Sequence, residues 1–312
     1  MKIEYSYGTQ IKNFGECVMA IGFFDGVHIA HRELILTAKA EAERLSLPVG
    51  VFTFKDNAQI KRRCDRIYGD EEKESILSSL GVDFTVLADF SSLKNLERDD
   101  FINEVLIRDF GCRLAVVGYN FKFGKGALGD AEYLKNKLVK LGRDCVIKSE
   151  VRSLGRTVSS SYIKELISSG SISEANRLLG IPYSISSIVE HGDGRGRTLG
   201  FPTLNSALSS ENLILKRGVY RSAIDIDGRL IFAVTNVGTC PTFSERATHL
   251  ESFLIDFDED LYGKSVRIYF LDFLREERKF SDAESLKKQI KVDINTSIKK
   301  NEEEKWQALG LK

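Results

Sequence analysis

Apolar and polar positions along the chain follow two rhythms, and the rhythm changes near residue 184. In the first part, short apolar runs are separated by charged segments with helical spacing. Residues 17–23 (CVMAIGF) form a continuous apolar run and read as a buried strand. Residues 31–45 place Leu34, Ile35, Ala38 and Ala42 on one face and charge on the other, which predicts a helix. Residues 49–54, 84–87, 114–117 and 145–148 read as further strands, and 71–80, 99–110 and 130–141 as helices between them. Asp99 or Asp100 is the expected cap of its helix. Strand–helix alternation predicts a parallel sheet covered by helices. Residues 159–168 and 173–179 are expected to close this domain as two more helices.

Beyond residue 184 the helical spacing disappears. Residues 185–189, 218–226, 230–237, 251–257 and 265–274 read as strands, and IDIDGRLIF as a hairpin. The expected architecture is an antiparallel β-barrel followed by helices at 281–290 and 302–309. The fold class is therefore an α/β, Rossmann-like parallel-sheet domain over residues 1–184, joined to a C-terminal barrel domain over residues 185–312. A length of 312 residues agrees with two domains.

Composition narrows the function. Lys plus Arg equals Asp plus Glu at 45 each, so the chain lacks the net positive charge expected of a nucleic-acid binder. No run approaches the length of a membrane span, and the first residues carry no apolar signal core. The five cysteines are odd in number and form no CxxC pair, which argues against a disulfide framework or structural zinc. A cytoplasmic protein without nucleic-acid, membrane or obligate protein partners is expected.

Two segments carry candidate chemistry. The first, residues 191–205, reads HGDGRGRTLGFPTLN. Gly192, Gly194, Gly196 and Gly200 suit sharp turns and close approach to a ligand. Arg195 and Arg197 supply forked donors that match phosphate. Thr203 and Asn205 offer oxygen ligands beyond the stiffening Pro202, as a nucleotide phosphate with Mg²⁺ requires. Farther on, Asn236 opens a second turn-rich loop, NVGTCPTF. Glu251 heads an otherwise apolar strand face with Phe253, Ile255 and Phe257. Such a carboxylate suits proton removal from a hydroxyl attacking ATP, or alternatively a strand-end cap or salt bridge.

The second segment, GFFDGVHIAH, follows the first strand and contains Gly22, Phe23, Asp25, His28 and His31. It is neither a dinucleotide fingerprint nor a Walker loop. Its spacing is that of an adenylyl-transfer site, in which histidines at a helix start steady departing pyrophosphate; a structural cap and a metal site, for which no third ligand with zinc-like spacing is evident, are the other readings. GYNFKFGKG, with Gly118, Asn120 and Phe123, suits a flat ring or nucleotide. VSSSYIK places Ser160, Ser161 and Lys164 at a helix start, which reads either as an ordinary serine-capped start or as a place where backbone N–H groups and a cation meet phosphate.

With these elements in this order, the chain resembles the bacterial bifunctional riboflavin kinase/FMN adenylyltransferase (FAD synthetase) family. GFFDGVHIAH, GYNFKFGKGALGD, HGDGRGRTLGFPTLN, GVY, NVGTCPTF and ESFLIDFDEDLYG carry the likeness. The resemblance implies phosphorylation of riboflavin by ATP to FMN in the C-terminal module, then adenylyl transfer from ATP to FMN in the N-terminal module, giving FAD and pyrophosphate. It implies Mg²⁺ at Thr203 and Asn205, the base role at Glu251, and nucleotide phosphate at His28 and His31. Four departures stand out. Phe253 replaces a His, Ala30 replaces a Gly between the histidines, TFKDNA lacks the family's prolines and histidine, and Lys164 replaces an Arg. The last three surround one pocket and open an alternative: a riboflavin kinase whose N-terminal module is impaired or regulatory.

Overall fold

The computed structural model describes residues 1–9, 11, 15–56, 66–153, 155–191, 201–207, 215–239, 248–257 and 259–303. The chain divides into two compact units, Met1–Lys61 with Tyr68–Ser160, and Arg62–Ile67 with Ser161–Lys312.

The first unit is built on strands β1 (Lys2–Tyr5), β2 (Cys17–Ile21), β3 (Val49–Asp56), β4 (Phe84–Asp89) and β5 (Cys112–Gly118). The small β6/β7 hairpin (Lys122–Phe123, Gly129–Asp130) precedes β8 (Asp144–Lys148), and β9/β10 (Arg152–Ser153, Arg156–Thr157) form another. One six-stranded sheet runs in the order β1-β4-β3-β2-β5-β8, with every pair parallel. Every residue of β2 is buried, as a strand covered on both faces requires.

Helix α1 (Ile29–Leu45) turns Leu34, Ile35, Ala38 and Ala42 inward, as its spacing predicts. Helix α2 (Asp70–Ser79) follows β3, and the short α3 (Phe90–Leu93) follows β4. The turn α4 (Arg98–Asp100) widens into a π-helical segment, Phe101–Asp109, that buries Phe101, Ile102, Val105 and Leu106. Its cap position is Glu97 rather than Asp99 or Asp100. Asp99 instead accepts from the Tyr133 hydroxyl at 2.6 Å and from Lys137 at 3.0 Å. Both donors lie on α5 (Ala131–Lys140), whose own cap is Asp130.

The second unit begins with α6 (Ser160–Ser169) from Ser161 onward and α7 (Ile172–Leu179). The sequence pattern changes at 184, yet compactness divides the chain at Ser160/Ser161, because α7 spends its polar groups on the barrel. Ser173 donates to Asp272 at 2.6 Å, and Asn176 donates to the Phe270 carbonyl at 2.8 Å. The strands are β11 (Tyr183–Glu190), β12 (Leu204–Ala207), β13 (Gly218–Ile226), β14 (Arg229–Thr239), β15 (Thr248–Leu254) and β16 (Ser265–Arg275). They close into a barrel in the order β11-β12-β15-β14-β13-β16. Helix α8 (Ala283–Glu303) continues well past the expected end at 290, and most of the second expected helix, 302–309, lies outside the described residues. Its Asp293 is clamped by Arg275 at 2.8 Å, which seats the helix on β16.

Candidate functional sites on two folds

In the first unit the chain leaves β2, builds β3 and β4 to one side, and returns to build β5 and β8 on the other. The carboxyl ends of β2 and β5 therefore flank the point where strand order reverses, the usual ligand crevice of an open parallel sheet. Gly22 to His28 leave β2 there, and Gly118 and Asn120 leave β5. The β2–α1 loop is wound tightly. Phe24, Gly26 and Val27 have φ of 49°, 82° and 41°, and the first and last are bulky residues in a left-handed conformation. The surroundings hold it. Thr53 donates to the Phe23 carbonyl at 2.9 Å, Ser160 to the Asp25 carbonyl at 2.8 Å, and Arg32 to the Val27 carbonyl at 3.1 Å.

This winding delivers two histidines to the start of α1. His28 is the N-cap and its Nδ1 accepts from the His31 backbone N–H at 3.4 Å, which leaves the His28 proton on Nε2. The two rings stack with centroids 3.5 Å apart. Burial holds the His28 imidazolium down to about 4. Burial, then the neighbouring His28, pushes His31 well below the ordinary histidine value. Both rings are thus neutral at pH 7. The His31 Nδ1 is buried and, among the described residues, has no hydrogen-bond partner, a costly state that points to a ligand.

The other expected residues distribute unevenly. Phe23 joins Phe54 and Phe90 in an aromatic wall, with centroids 4.7 and 5.9 Å from it. Asn120 is exposed, whereas Phe123 is 7% exposed and packs into the core against Phe101. Ser160 closes the β2–α1 loop, but Ser161 and Lys164 belong to the second unit. Ala30 lies in the first turn of α1 and is absent from the left-handed positions, so its Cβ costs nothing there. Of TFKDNA, Thr53 performs the loop contact; Asn57 and Ala58 lie outside the described residues.

In the barrel, register assembles the second site. Glu251 on β15 stands opposite Asn205 on β12 and, on its other side, opposite Asn236 on β14. Directly opposed residues point to the same face, so Asn205, Glu251 and Asn236 form one row on the outer wall. Leu250 and Ser252 flank Glu251 in sequence and point inward, fully buried. Asn205 donates its amide N–H₂ to the Thr203 carbonyl at 3.4 Å, which leaves its amide oxygen available. Phe253 meets Phe201 edge-on at 5.6 Å, so the residue that replaces a His packs against the segment leading to Thr203. Pro202 is exposed, and Thr203 is half-buried. Gly192, Gly194, Arg195, Gly196, Arg197 and Gly200 lie outside the described residues.

Sequence comparison also matches the chain in two pieces, whose bounds differ in part from those of the compact units. A family model described as FAD synthetase matches residues 10–162, and one described as riboflavin kinase matches residues 179–300. A bifunctional riboflavin kinase/FMN adenylyltransferase of Bacillus subtilis is 34% identical over 90% of this chain and 92% of its own length. The chain belongs to this bifunctional family.

Its member from Escherichia coli is 33% identical over 90% of this chain and 91% of its own length. Among solved structures, a protein described as a macrolide-efflux protein from Streptococcus pneumoniae matches with a TM-score of 0.87 and 31% identity, covering 95% of this chain and 98% of that one. Among the described residues of this family member, no helix is long and apolar enough to cross a membrane. What sequence reasoning missed is support rather than chemistry. Thr53 and Arg32 fix the histidine loop through carbonyls distant in sequence or across a turn; Thr53 opens the TFKDNA element without its contact being readable there, and no motif marks Arg32.

Proposed function

We propose that this chain phosphorylates riboflavin to FMN on its barrel and adenylylates FMN to FAD on its parallel-sheet unit, in the cytoplasm. The observation that carries the reading is the row Asn205–Glu251–Asn236, which places one carboxylate between two amides beside the FPT segment. In the kinase step, Glu251 accepts the proton of the riboflavin 5′-hydroxyl as its oxygen attacks the γ-phosphorus of ATP and ADP leaves. Mg²⁺ suits the donors present. Thr203 and Asn205 present hard neutral oxygens, and no thiolate or imidazole stands in the row. Among the described residues, no cluster of three or more His, Cys, Asp or Glu is able to hold a metal ion alone. Thr203 and Asn205 would therefore share the ion with ATP, and it would neutralise phosphate charge.

In the second step a phosphate oxygen of FMN attacks the α-phosphorus of ATP and pyrophosphate departs. His28 and His31, at the positive end of α1, donate hydrogen bonds to that leaving group. The buried thiols of Cys17, Cys112 and Cys145 are free, which agrees with a reducing compartment.

Riboflavin, ATP and Mg²⁺ incubated with the protein and resolved by chromatography test both halves. FMN followed by FAD is expected. FMN that never proceeds to FAD, even when FMN is supplied, would favour a riboflavin kinase with a regulatory first unit, the reading that TFKDNA and Lys164 raise. Absence of both products removes the whole proposal.

A further inference from the structure

The inner face of the barrel carries hydroxyls behind the site row. Ser222 on β13, Thr235 on β14 and Ser252 on β15 are each fully buried. The Ser222 Oγ lies 2.7 Å from Thr235 Oγ1, which lies 2.8 Å from Ser252 Oγ. Ser222 also donates to the Ala233 carbonyl at 3.1 Å. Each hydroxyl has one proton, so this terminal bond orders the whole chain. Ser222 gives its proton to the carbonyl, Thr235 gives to Ser222, and Ser252 gives to Thr235. The chain stops at β15 because Leu204 of β12 stands opposite Ser252.

Two of these hydroxyls sit back to back with the outer row. Ser252 directly follows Glu251, and Thr235 directly precedes Asn236. Their bond crosses the same strand pair that sets Glu251 against Asn236. A buried hydroxyl deprived of its partner is costly, so the chain resists any slide or splay of β14 against β15. Misplacement of a catalytic group by about 1 Å is enough to cost a hundredfold in rate.

We propose that the Ser252–Thr235–Ser222 hydroxyl chain is a positioning device for the kinase reaction, holding Glu251 and Asn236 at their working separation. The inference rests on Glu251 as the kinase base.

The test uses the full-length chain with riboflavin, ATP and Mg²⁺. Thr235→Val keeps the shape and removes the hydroxyl. It should lower kcat for FMN formation about tenfold while KM for riboflavin and for ATP stays within about twofold. Thr235→Ser, which keeps the hydroxyl, should retain wild-type kcat. In a Glu251→Gln background, Thr235→Val should lower the residual rate less than twofold, because there is no longer a base to misplace. Adenylylation of supplied FMN should be unchanged throughout. Equal losses in Thr235→Val and Thr235→Ser, wild-type kcat in Thr235→Val, or a full additional loss in the Glu251→Gln background would each overturn the proposal. If Thr235→Val does not fold, Ser252→Ala replaces it. That variant removes only the first donor of the chain and should lower kcat about threefold at unchanged KM; wild-type kcat would overturn the proposal. A Glu251→Gln protein with normal FMN formation would instead remove the underlying assignment of the base.

Discussion

The carboxylate of Glu251 and the imidazoles of His28 and His31 occupy opposite electrostatic situations. Glu251 is exposed on a strand between two amides, whereas His28 is buried, His31 is half-buried with its Nδ1 fully enclosed, and the two rings are stacked and neutral. Glu251→Gln should cut FMN formation at least a hundredfold, the usual scale for a general base, and leave adenylylation of supplied FMN within about twofold. His31→Ala should do the reverse; assays with separate riboflavin and FMN feeds read both. The His28 value of about 4 has a sign that stability must follow. Between about pH 4 and the unfolded histidine value near 6.5, the unfolded chain binds more protons than the folded one. Histidine burial therefore contributes its full stability above about pH 6.5, and that contribution is lost as pH falls towards 4. Urea melts of the first unit across this range should show the decline, and His28→Gln should flatten it. Pyrophosphate favours the protonated ring, so the His28 NMR titration midpoint should rise from about 4 when pyrophosphate is added.

At the level of elements, the barrel is tied to its helices by charge. Arg221, 1% exposed, donates to Asp272 at 2.7 Å and to Asn301 of α8 at 3.0 Å; Asp272 also accepts from Ser173 of α7. Burial alone would raise the Asp272 carboxyl, but the Ser173 bond and the Arg221 and Lys300 charges overcome it and hold it below the ordinary value. This group stabilises the fold above the unfolded carboxyl value near 3.9, and the contribution is lost as pH falls through its lower folded value. Asp272→Ala removes the carboxylate from beside a buried guanidinium and should cost about 3–5 kcal/mol, measured by urea unfolding of the barrel. The paired Arg221→Met/Asp272→Leu variant should cost much less.

The elements also show what the sequence made legible. The α/β alternation was readable because α1 shows one clean apolar stripe and β2 an unbroken apolar run. Strand β12 was hidden, because its four residues sit at the end of a glycine-rich segment that reads as loop. The pi-helical widening at Phe101–Asp109 left no mark, since its apolar spacing imitates an ordinary helix. Glu251, Asn205 and Asn236 were each visible as residues. Their alignment was not, because register between distant strands depends on barrel closure. Likewise the spacing of His28 and His31 was plain, but the left-handed Phe24 and Val27 that deliver them were not.

Across the whole molecule, the two chemistries stand on separate compact units, so lesions should separate as well. A chain disabled at Glu251 should still convert supplied FMN to FAD, and one disabled at His31 should accumulate FMN; chromatography of both mixtures checks this. The sheet topology has a different consequence for the protein's behaviour at high concentration. The barrel pairs each strand with two neighbours, whereas the parallel sheet ends at β1 and β8. Each of these outer strands presents backbone donors and acceptors on one side, the template from which strand-by-strand aggregation grows. Lys2 and Glu4 on β1, and Asp144 and Lys148 on β8, place charge on both edges. Replacing these four with threonine would strip that protection, and clumping would then start from the adenylyl unit while the barrel stayed inert.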